Sequence, residues 1–524
     1  MQSVQGTDAM TSPATSVPSS KGVFIKWSLL GSVGLVNGYA TILMYSRGEL
    51  AFALLTVILT ALALFIFGSK KTYAHRYIYP GVAGMILFIL FPLAYTVGLS
   101  FTNYSAKNQL SFDRAQNVLL DRTYQSGDSY SFGLYHLDDG HQIIINKDGA
   151  LLATPVFKES DLADQDFALT PVSAEQGEKA AIKDIIALRG KLSGIDLVFP
   201  DGDAIRMNGL RKFAAVEPLY TLQDDGSSLL NNSTDELLQP NMKVGFYQPV
   251  DEHGEFVGST VAPGFIIGIG THNFERVWKD DGIKQPFISI FIWTIVFSAA
   301  SVGLTLIIGM ILASIVQWEA LKGRAIYRVL LILPYAVPAF ISILIFKGLF
   351  NQSFGEVNMV LEHMFGISPS WFSDPFLAKL MIIVVNTWLG FPYMMILCMG
   401  LLKAIPDDLY EASAIDGSNF ISNFTKITLP LMIKPLTPLL IAAFAFNFNN
   451  FVLIQLLTGG GPNMIGTSEP AGYTDLLVNF TYRIAFEGAG GQDFGLASAI
   501  ATLIFLLVGA LALLNLRVTK VAQD

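Results

Sequence analysis

Four asparagines stand inside apolar runs that carry few other polar side chains. Asn447, Asn449 and Asn450 sit beside Phe446, Phe448 and Phe451, and Asn386 sits with Trp388, Gly390 and Tyr393. An unpaired amide in hydrocarbon is costly, so these groups must face the protein interior or water. Asn447 and Asn450 are three residues apart and Phe446 and Asn450 four, a spacing that puts them on one helix face. Amides beside an aromatic ring suit a neutral sugar, whose hydroxyls need donors and acceptors and whose C–H face packs on a ring. The same asparagines suit hydrogen bonding between helices. The residues by themselves leave both readings open.

A second constellation is Glu411-Ala412-Ser413-Ala414-Ile415-Asp416-Gly417, followed by Ile427-Thr428-Leu429-Pro430. Leu409 to Ile415 has helix-forming composition. Gly417 reads as a helix stop, because glycine tolerates the left-handed cap. Thr428 to Pro430 starts the next apolar helix. Such a helix and turn offers one acid, Glu411, to the adjacent water, or it is a plain connecting loop. Bond-making chemistry has no support. The chain has no Gly-x-x-x-x-Gly-Lys-Ser/Thr phosphate loop, no His-Glu-x-x-His and no Cys-x-x-Cys, and its 6 histidines lie far apart. A non-catalytic protein is expected, with no metal site and no cofactor of its own.

These residues sit in 524 residues that are 52% hydrophobic and only 14% charged, against about 25% charged in soluble domains. Long uncharged runs account for this and require a polytopic membrane protein. The net charge of −9 is uneven: Phe101 to Gln285 holds 16 basic and 27 acidic residues, and the remainder 17 and 15. One acidic, water-soluble insertion therefore interrupts a nearly neutral membrane body, which argues against nucleic acid as a partner. The lone Cys398 lies in an apolar run, reads as packing, and leaves no intrachain disulfide.

The expected fold is an all-α membrane protein of eight transmembrane helices, with a β-rich α+β periplasmic domain inserted between the third and fourth. Residues 1–26 form a disordered cytoplasmic tail, polar to Lys21 and without a signal-peptide core. The first three spans, Trp27–Tyr45, Leu50–Phe67 and Pro80–Leu99, occupy 27–102. Lys21 and Lys26 before the first, and Lys70, Lys71, His75 and Arg76 after the second, place the N-terminus inside. The domain covers 103–285. Asp139-Gly140, Asp148-Gly149, Asp201-Gly202 and Asp225-Gly226 mark hairpin turns, Gln142 to Asn146 is β-branched, and Ala174 to Leu192 looks helical. The core of 286–524 holds Pro286–Gln317, Ala325–Leu349, Phe376–Leu402, Leu431–Leu457 and Phe494–Leu516, with Arg517 and Lys520 keeping the C-terminus inside. Pro334 and Pro338 must kink or break the fifth span. No buried acidic or basic relay is expected in the eight.

Glu-Ala-x-x-x-x-Gly, nine residues, then Ile-x-Leu-Pro resembles the EAA motif of binding-protein-dependent ABC importers. Glu411, Ala412, Gly417, Ile427, Leu429 and Pro430 carry the match, with Ser413 in place of the second alanine. From Gly270 onward the chain resembles the carbohydrate branch of these permeases, through His272-Asn273-Phe274, Lys322-Gly323-Arg324, Tyr327-Arg328, Leu333-Pro334, Gly355 with Asn358, and Leu457-Thr458-Gly459-Gly460-Gly461-Pro462. Two extra N-terminal spans, the large insertion, Ala445 to Leu457 and Pro470 to Gly491 are similar to the maltose/maltodextrin permease subunits. The resemblance implies an inner-membrane, multi-pass subunit working by alternating access. Its implied partners are a second homologous permease, an ATPase dimer carrying ATP and Mg, a periplasmic maltose-binding protein and membrane lipid. It implies sugar contacts at Tyr335, Asn386, Leu389, Gly390, Tyr393, Phe446, Asn447 and Asn450, with Ala443 where the family has serine. It implies ATPase coupling through Glu411, Ala412, Ser413, Asp416 and Gly417, near 407–420. An ion-driven sugar transporter and a membrane sensor are the rival readings. The first lacks its relay, the second lacks a cytoplasmic output domain, and neither explains the EAA-like motif.

Overall fold

Backbone in hydrocarbon must close its own hydrogen bonds, so the apolar runs are helices and the acidic insertion is free to form sheet. The computed structural model describes residues 20–162, 166–488 and 491–523. Residues 1–19 of the expected tail lie outside them. The chain divides into two compact units, one ending at Gly98 and one beginning at Leu99.

The first unit holds α1 (Ser20–Ser46), α2 (Leu50–Gly68), α3 (His75–Met85), a π-helical turn (Ile86–Leu90) and α4 (Phe91–Leu99). α1 starts at Ser20, so the expected tail loses its last residues to the helix. Gly-Val-Phe-Ile before Lys26 prolongs the apolar run, and Lys26 Nζ donates to the Gly68 carbonyl at 3.2 Å. The third span starts at His75 and not at Pro80. Pro80 lies in the middle of α3, where its missing N–H costs one backbone bond without ending the helix.

In the second unit, α5 (Phe112–Leu120) precedes β1 (Thr123–Leu137), β2 (Gly140–Lys147), β3 (Ala150–Ala153), β4 (Asp166–Ala168), β5 (Thr170–Val172) and β6 (Glu178–Lys179). Then come α6 (Ile182–Leu192), β7 (Asp196–Val198), β8 (Ala204–Met207), β9 (Lys212–Pro218), β10 (Tyr220–Leu222), β11 (Leu229–Asn231), β12 (Glu236–Asn241) and β13 (Phe246–Pro249). The larger sheet runs β4-β7-β8-β9-β1-β2-β3-β5, with β6 also on β1, and β10 to β13 form a second sheet. All four Asp-Gly pairs fall at turns between strands. The helix expected over 174–192 is confined to Ile182–Leu192. Gly177, at φ +88°, packs its α-carbon against the His136 carbonyl, where a side chain could not fit, and this leads Glu178 and Lys179 into the sheet beside β1. Leu134, Ile143, Ile145, Leu188, Leu192 and Phe213 fill the domain core.

The membrane part continues through α7 (His272–Lys279), α8 (Asp281–Gln317), α9 (Arg324–Ala336), α10 (Ala339–Leu349), α11 (Glu356–Phe365), α12 (Pro375–Leu402), α13 (Asp408–Ile415) and α14 (Phe420–Asn423). A π-helical turn (Phe424–Thr428), α15 (Leu429–Phe448), α16 (Phe451–Leu457), α17 (Leu477–Phe486) and α18 (Phe494–Gln523) complete it. Among the described residues seven helical segments are long and apolar enough to cross a bilayer, and the pair α9 and α10, bent by 90°, makes an eighth if it counts as one span. That bend lies at Val337-Pro338, within the proline pair expected to break the helix. Helical structure re-enters at Phe420, ahead of the expected Thr428. The seventh span is Ile421–Phe448 and not 431–457, because the backbone leaves the helix at Asn449 and Asn450.

α8 and α12 run side by side through small residues. A Cβ on Gly309 would stand 2.8 Å from Met394 Cβ, and one on Gly390 would stand 2.9 Å from Thr305 Cγ2. The β domain is stitched to this bundle by backbone: Ala106 N–H donates to Gln492 O and Gly495 N–H to Tyr104 O, both at 2.8 Å. Asn273 on α7 donates to the carbonyls of Ser100 and Thr102 at 3.0 and 2.9 Å.

Candidate functional site

Helix breaks create the polar site. α15 ends at Phe448, Asn449 caps it, and Asn450 opens α16 by accepting from Leu453 N–H at 3.4 Å. Asn447 and Asn450 are therefore not on one continuous helix face, and the asparagines mark the end of the long helix instead of its middle. They still converge. Asn386 Nδ2 on α12 donates to Asn447 Oδ1 at 2.7 Å, and Asn450 Nδ2 donates to Asn386 Oδ1 at 3.3 Å. Asn447 Nδ2 donates back to the carbonyl of Ala443 at 2.9 Å. Asn449 turns away and bonds the Ala445 carbonyl.

This geometry uses one acceptor and one donor of each clustered amide to join α12, α15 and α16. Every primary amide carries two N–H groups, so the cluster retains donor capacity. Phe446 is 72% exposed on the same turn, and Tyr393 on α12 and Tyr335 at the end of α9 also present open rings. Leu389 is half-buried. Gly390 has a packing role, since its lack of a side chain admits Thr305. The structure thus joins Asn386, Asn447 and Asn450 by hydrogen bonds. It places Tyr335 on another helix with no bond to the three.

The second constellation forms α13. Gly417, at φ +72°, sits just past its end. Ser418 N–H reaches Ser413 O at 3.0 Å and Gly417 N–H reaches Ala414 O at 3.1 Å, the paired bonds of a Schellman cap. Glu411, Ala412, Asp416 and Gly417 are exposed, and Ser413 bonds the Tyr410 carbonyl at 2.9 Å. Ile415 is 87% exposed, an apolar side chain left bare on a short helix. Sequence reasoning missed the anchor. Tyr410 Oη and Thr428 Oγ1 share a hydrogen bond of 2.8 Å, and Tyr410 packs on a core built from Met310, Ala313, Met395, Cys398, Met432 and Leu436. One tyrosine therefore ties the short helix to the turn before α15 and to the apolar core shared by α8, α12 and α15.

Sequence reasoning also missed a buried ion pair in the segment that follows α16. Asp475 is fully buried and accepts from Arg483 Nη1 at 3.1 Å and from Gly472 N–H at 2.7 Å. Arg483 also reaches Asn463 at 2.8 Å and Glu487 at 3.0 Å. Burial pushes the Asp475 carboxyl up to about 6 against the pull of Arg483. Gly460, at φ +84°, must be glycine, because a Cβ there would run into the Asp475 carboxylate. Among the described residues no cluster of three or more His, Cys, Asp or Glu could hold a metal ion.

Comparison with known proteins fits this division of the chain. Residues 110–270 match the P2 domain of the maltose transport system permease protein MalF, and 24–71 match the MalF N-terminal transmembrane helices. Residues 305–520 match the binding-protein-dependent transport system inner membrane component. The chain is 80% identical to the maltose/maltodextrin transport system permease protein MalF of Vibrio parahaemolyticus, over 100% of both chains. This chain belongs to the MalF family. It is also 73% identical to MalF of Vibrio cholerae over 100% of both chains, and 58% identical to MalF of Escherichia coli K12 over 95% of this chain and 97% of that one. A MalF-family chain is an inner-membrane, multi-pass transport permease subunit of an ABC importer and not an enzyme. The ion-driven transporter and the sensor gain no support.

Proposed function

We propose that this chain forms half of the translocation path for maltose and maltodextrins, with the sugar held at the break between α15 and α16. The observation that carries this is the amide cluster of Asn386, Asn447 and Asn450 beside the open ring of Phe446. It offers a neutral sugar both hydrogen bonds and a stacking face. Tyr335, Leu389, Gly390 and Tyr393 complete the contacts. In this reading eight spans leave both termini in the cytoplasm and the β domain of 103–285 in the periplasm, where it holds a maltose-binding protein over the cavity. A second homologous permease closes the path. Glu411, Ala412, Ser413, Asp416 and Gly417 dock on an ATPase dimer, which binds the ATP and Mg, and Tyr410 carries the motion of that docking helix into the spans. No cofactor belongs to this chain.

The test is maltose-stimulated ATP hydrolysis and uptake by the complete complex in proteoliposomes. Phe446→Ala and Asn450→Leu are expected to raise the maltose KM roughly tenfold, the loss of one polar or stacking contact, with basal ATP hydrolysis unchanged. An unchanged KM in both variants overturns the sugar site. Glu411→Lys is expected to abolish ATPase binding while the chain remains inserted. Normal binding and coupling in that variant reduce α13 to a connecting loop.

A further inference from the structure

The expected sixth span contains a charge that neither the sugar site nor the coupling helix uses. Lys379 lies in the second turn of α12, level with Trp293 in the fourth turn of α8. Its ammonium lies 4.9 Å from the ring centroid of Trp293, which is buried on α8. Among the described residues no carboxylate pairs with it. Below it, Ile292, Val296, Leu380 and Ile383 line an open groove of about 430 Å³ between α8 and α12. The 28 residues of α12 span about 42 Å at 1.5 Å each, longer than the roughly 30 Å of hydrocarbon. Its first turns therefore stand at headgroup depth, where aromatic and basic side chains anchor a helix.

We infer that this groove binds one anionic phospholipid, with its phosphate on Lys379 and an acyl chain along Ile292, Val296, Leu380 and Ile383. Charge selects the occupant. A partly buried ammonium needs an anion nearby, the groove offers it only the neutral Ser289 besides the Trp293 ring, and an apolar helix in the groove would leave the cation without a counter-charge. A phosphate at headgroup depth answers the charge, and the apolar walls below match a lipid chain. Trp293 holds the lysine stem by a cation–π contact and aims it to the interface.

The experiment is native mass spectrometry of the complete transporter complex, stripped of lipid and titrated with phosphatidylglycerol or phosphatidylcholine. The wild-type complex is expected to retain phosphatidylglycerol roughly tenfold better, the scale of one charge-assisted hydrogen bond. Lys379→Ala is expected to lose that preference and Lys379→Arg to keep it. Val296→Trp, which fills the groove and leaves the lysine in place, is expected to weaken retention and keeps the test open if Lys379→Ala does not assemble. An unchanged preference in Lys379→Ala, or unchanged phosphatidylglycerol retention in Val296→Trp, overturns the proposal. So does efficient disulfide capture of Ile292→Cys by a cysteine on the second permease subunit, which would show the groove filled by protein.

Discussion

Asn386 is the hub of the amide cluster, and removing it tests the geometry directly. Asn386→Ala strips Asn447 Oδ1 of a donor at 2.7 Å and Asn450 Nδ2 of an acceptor at 3.3 Å. A buried polar atom left alone costs about 1–3 kcal/mol in water-soluble proteins. Between transmembrane helices the measured coupling averages ~0.6 kcal/mol and reaches ~1.7, because the unfolded chain in a membrane also finds partners. The shorter bond belongs at the upper end of that range and the longer one at or below its mean. Double-mutant cycles of Asn386→Ala with Asn447→Ala and with Asn450→Ala, read by equilibrium unfolding in mixed micelles, should give about 1–1.7 and below about 0.6 kcal/mol respectively. Additivity within about 0.3 kcal/mol for the first pair, or the reverse ranking, would refute the arrangement. The same variants separate glue from site: a stability loss with an unaltered maltose KM would leave the asparagines as helix-to-helix links only.

Gly390→Ala should destabilise the bundle by about 1–3 kcal/mol through overpacking, and Thr305→Ser, which removes the Cγ2 atom 2.9 Å from the new methyl, should restore most of it in a thermal unfolding assay. Arg483→Ala strands the buried Asp475 carboxylate and should cost about 3–5 kcal/mol near pH 8. With Asp475 already pushed up to about 6, the folded form binds this proton more tightly than the unfolded chain does, so the group's contribution to stability is largest at low pH and is lost as pH rises through about 6. The cost of Arg483→Ala should accordingly shrink at pH 5, and an equal cost at pH 5 and 8 would contradict it. In the β domain, hydrogen bonds from Ser227 and Ser228 hold the Asp225 carboxyl down at about 2. Its share of stability is present above about pH 4 and lost between there and about 2, which amide exchange at Ser227 and Ser228 should follow.

What the sequence shows of this molecule is what depends on local physics. Apolar length marks the membrane helices, Asp-Gly pairs mark the hairpins of the β domain, and paired prolines mark the break between α9 and α10. Gly417 declares its cap because glycine takes that positive φ at the least steric cost. The local pattern misleads where tertiary contact overrides it. Ala174 to Leu192 has helical composition, yet β1 recruits Glu178 and Lys179 as a strand. Leu431 to Leu457 reads as one apolar run, yet the chain turns at Asn449 and Asn450.

The functional links lie between residues whose separation carries no period. Asn386 and Asn447 are 61 residues apart, and no spacing rule brings them together; only the approach of the end of α15 to the middle of α12, both packed on α8, does. The same holds for Tyr410, whose hydroxyl is legible as a polar group on a short helix but whose bond to Thr428 requires knowing that the chain returns there. These long-range joins share a physical logic. Each sits where backbone geometry changes: at the end of α15, at the start of α13, and at the glycine approach of Gly460 to Asp475. A side chain at such a point bonds two elements that could otherwise move apart, so the bonds fix the relative positions of the helices around the proposed sugar site and the proposed coupling helix. A transporter that alternates between two openings needs rigid blocks with few hinges. Joins at the breaks tie neighbouring helices into such blocks, and the 90° bend at Val337-Pro338, outside these joins, is where a hinge between blocks is expected.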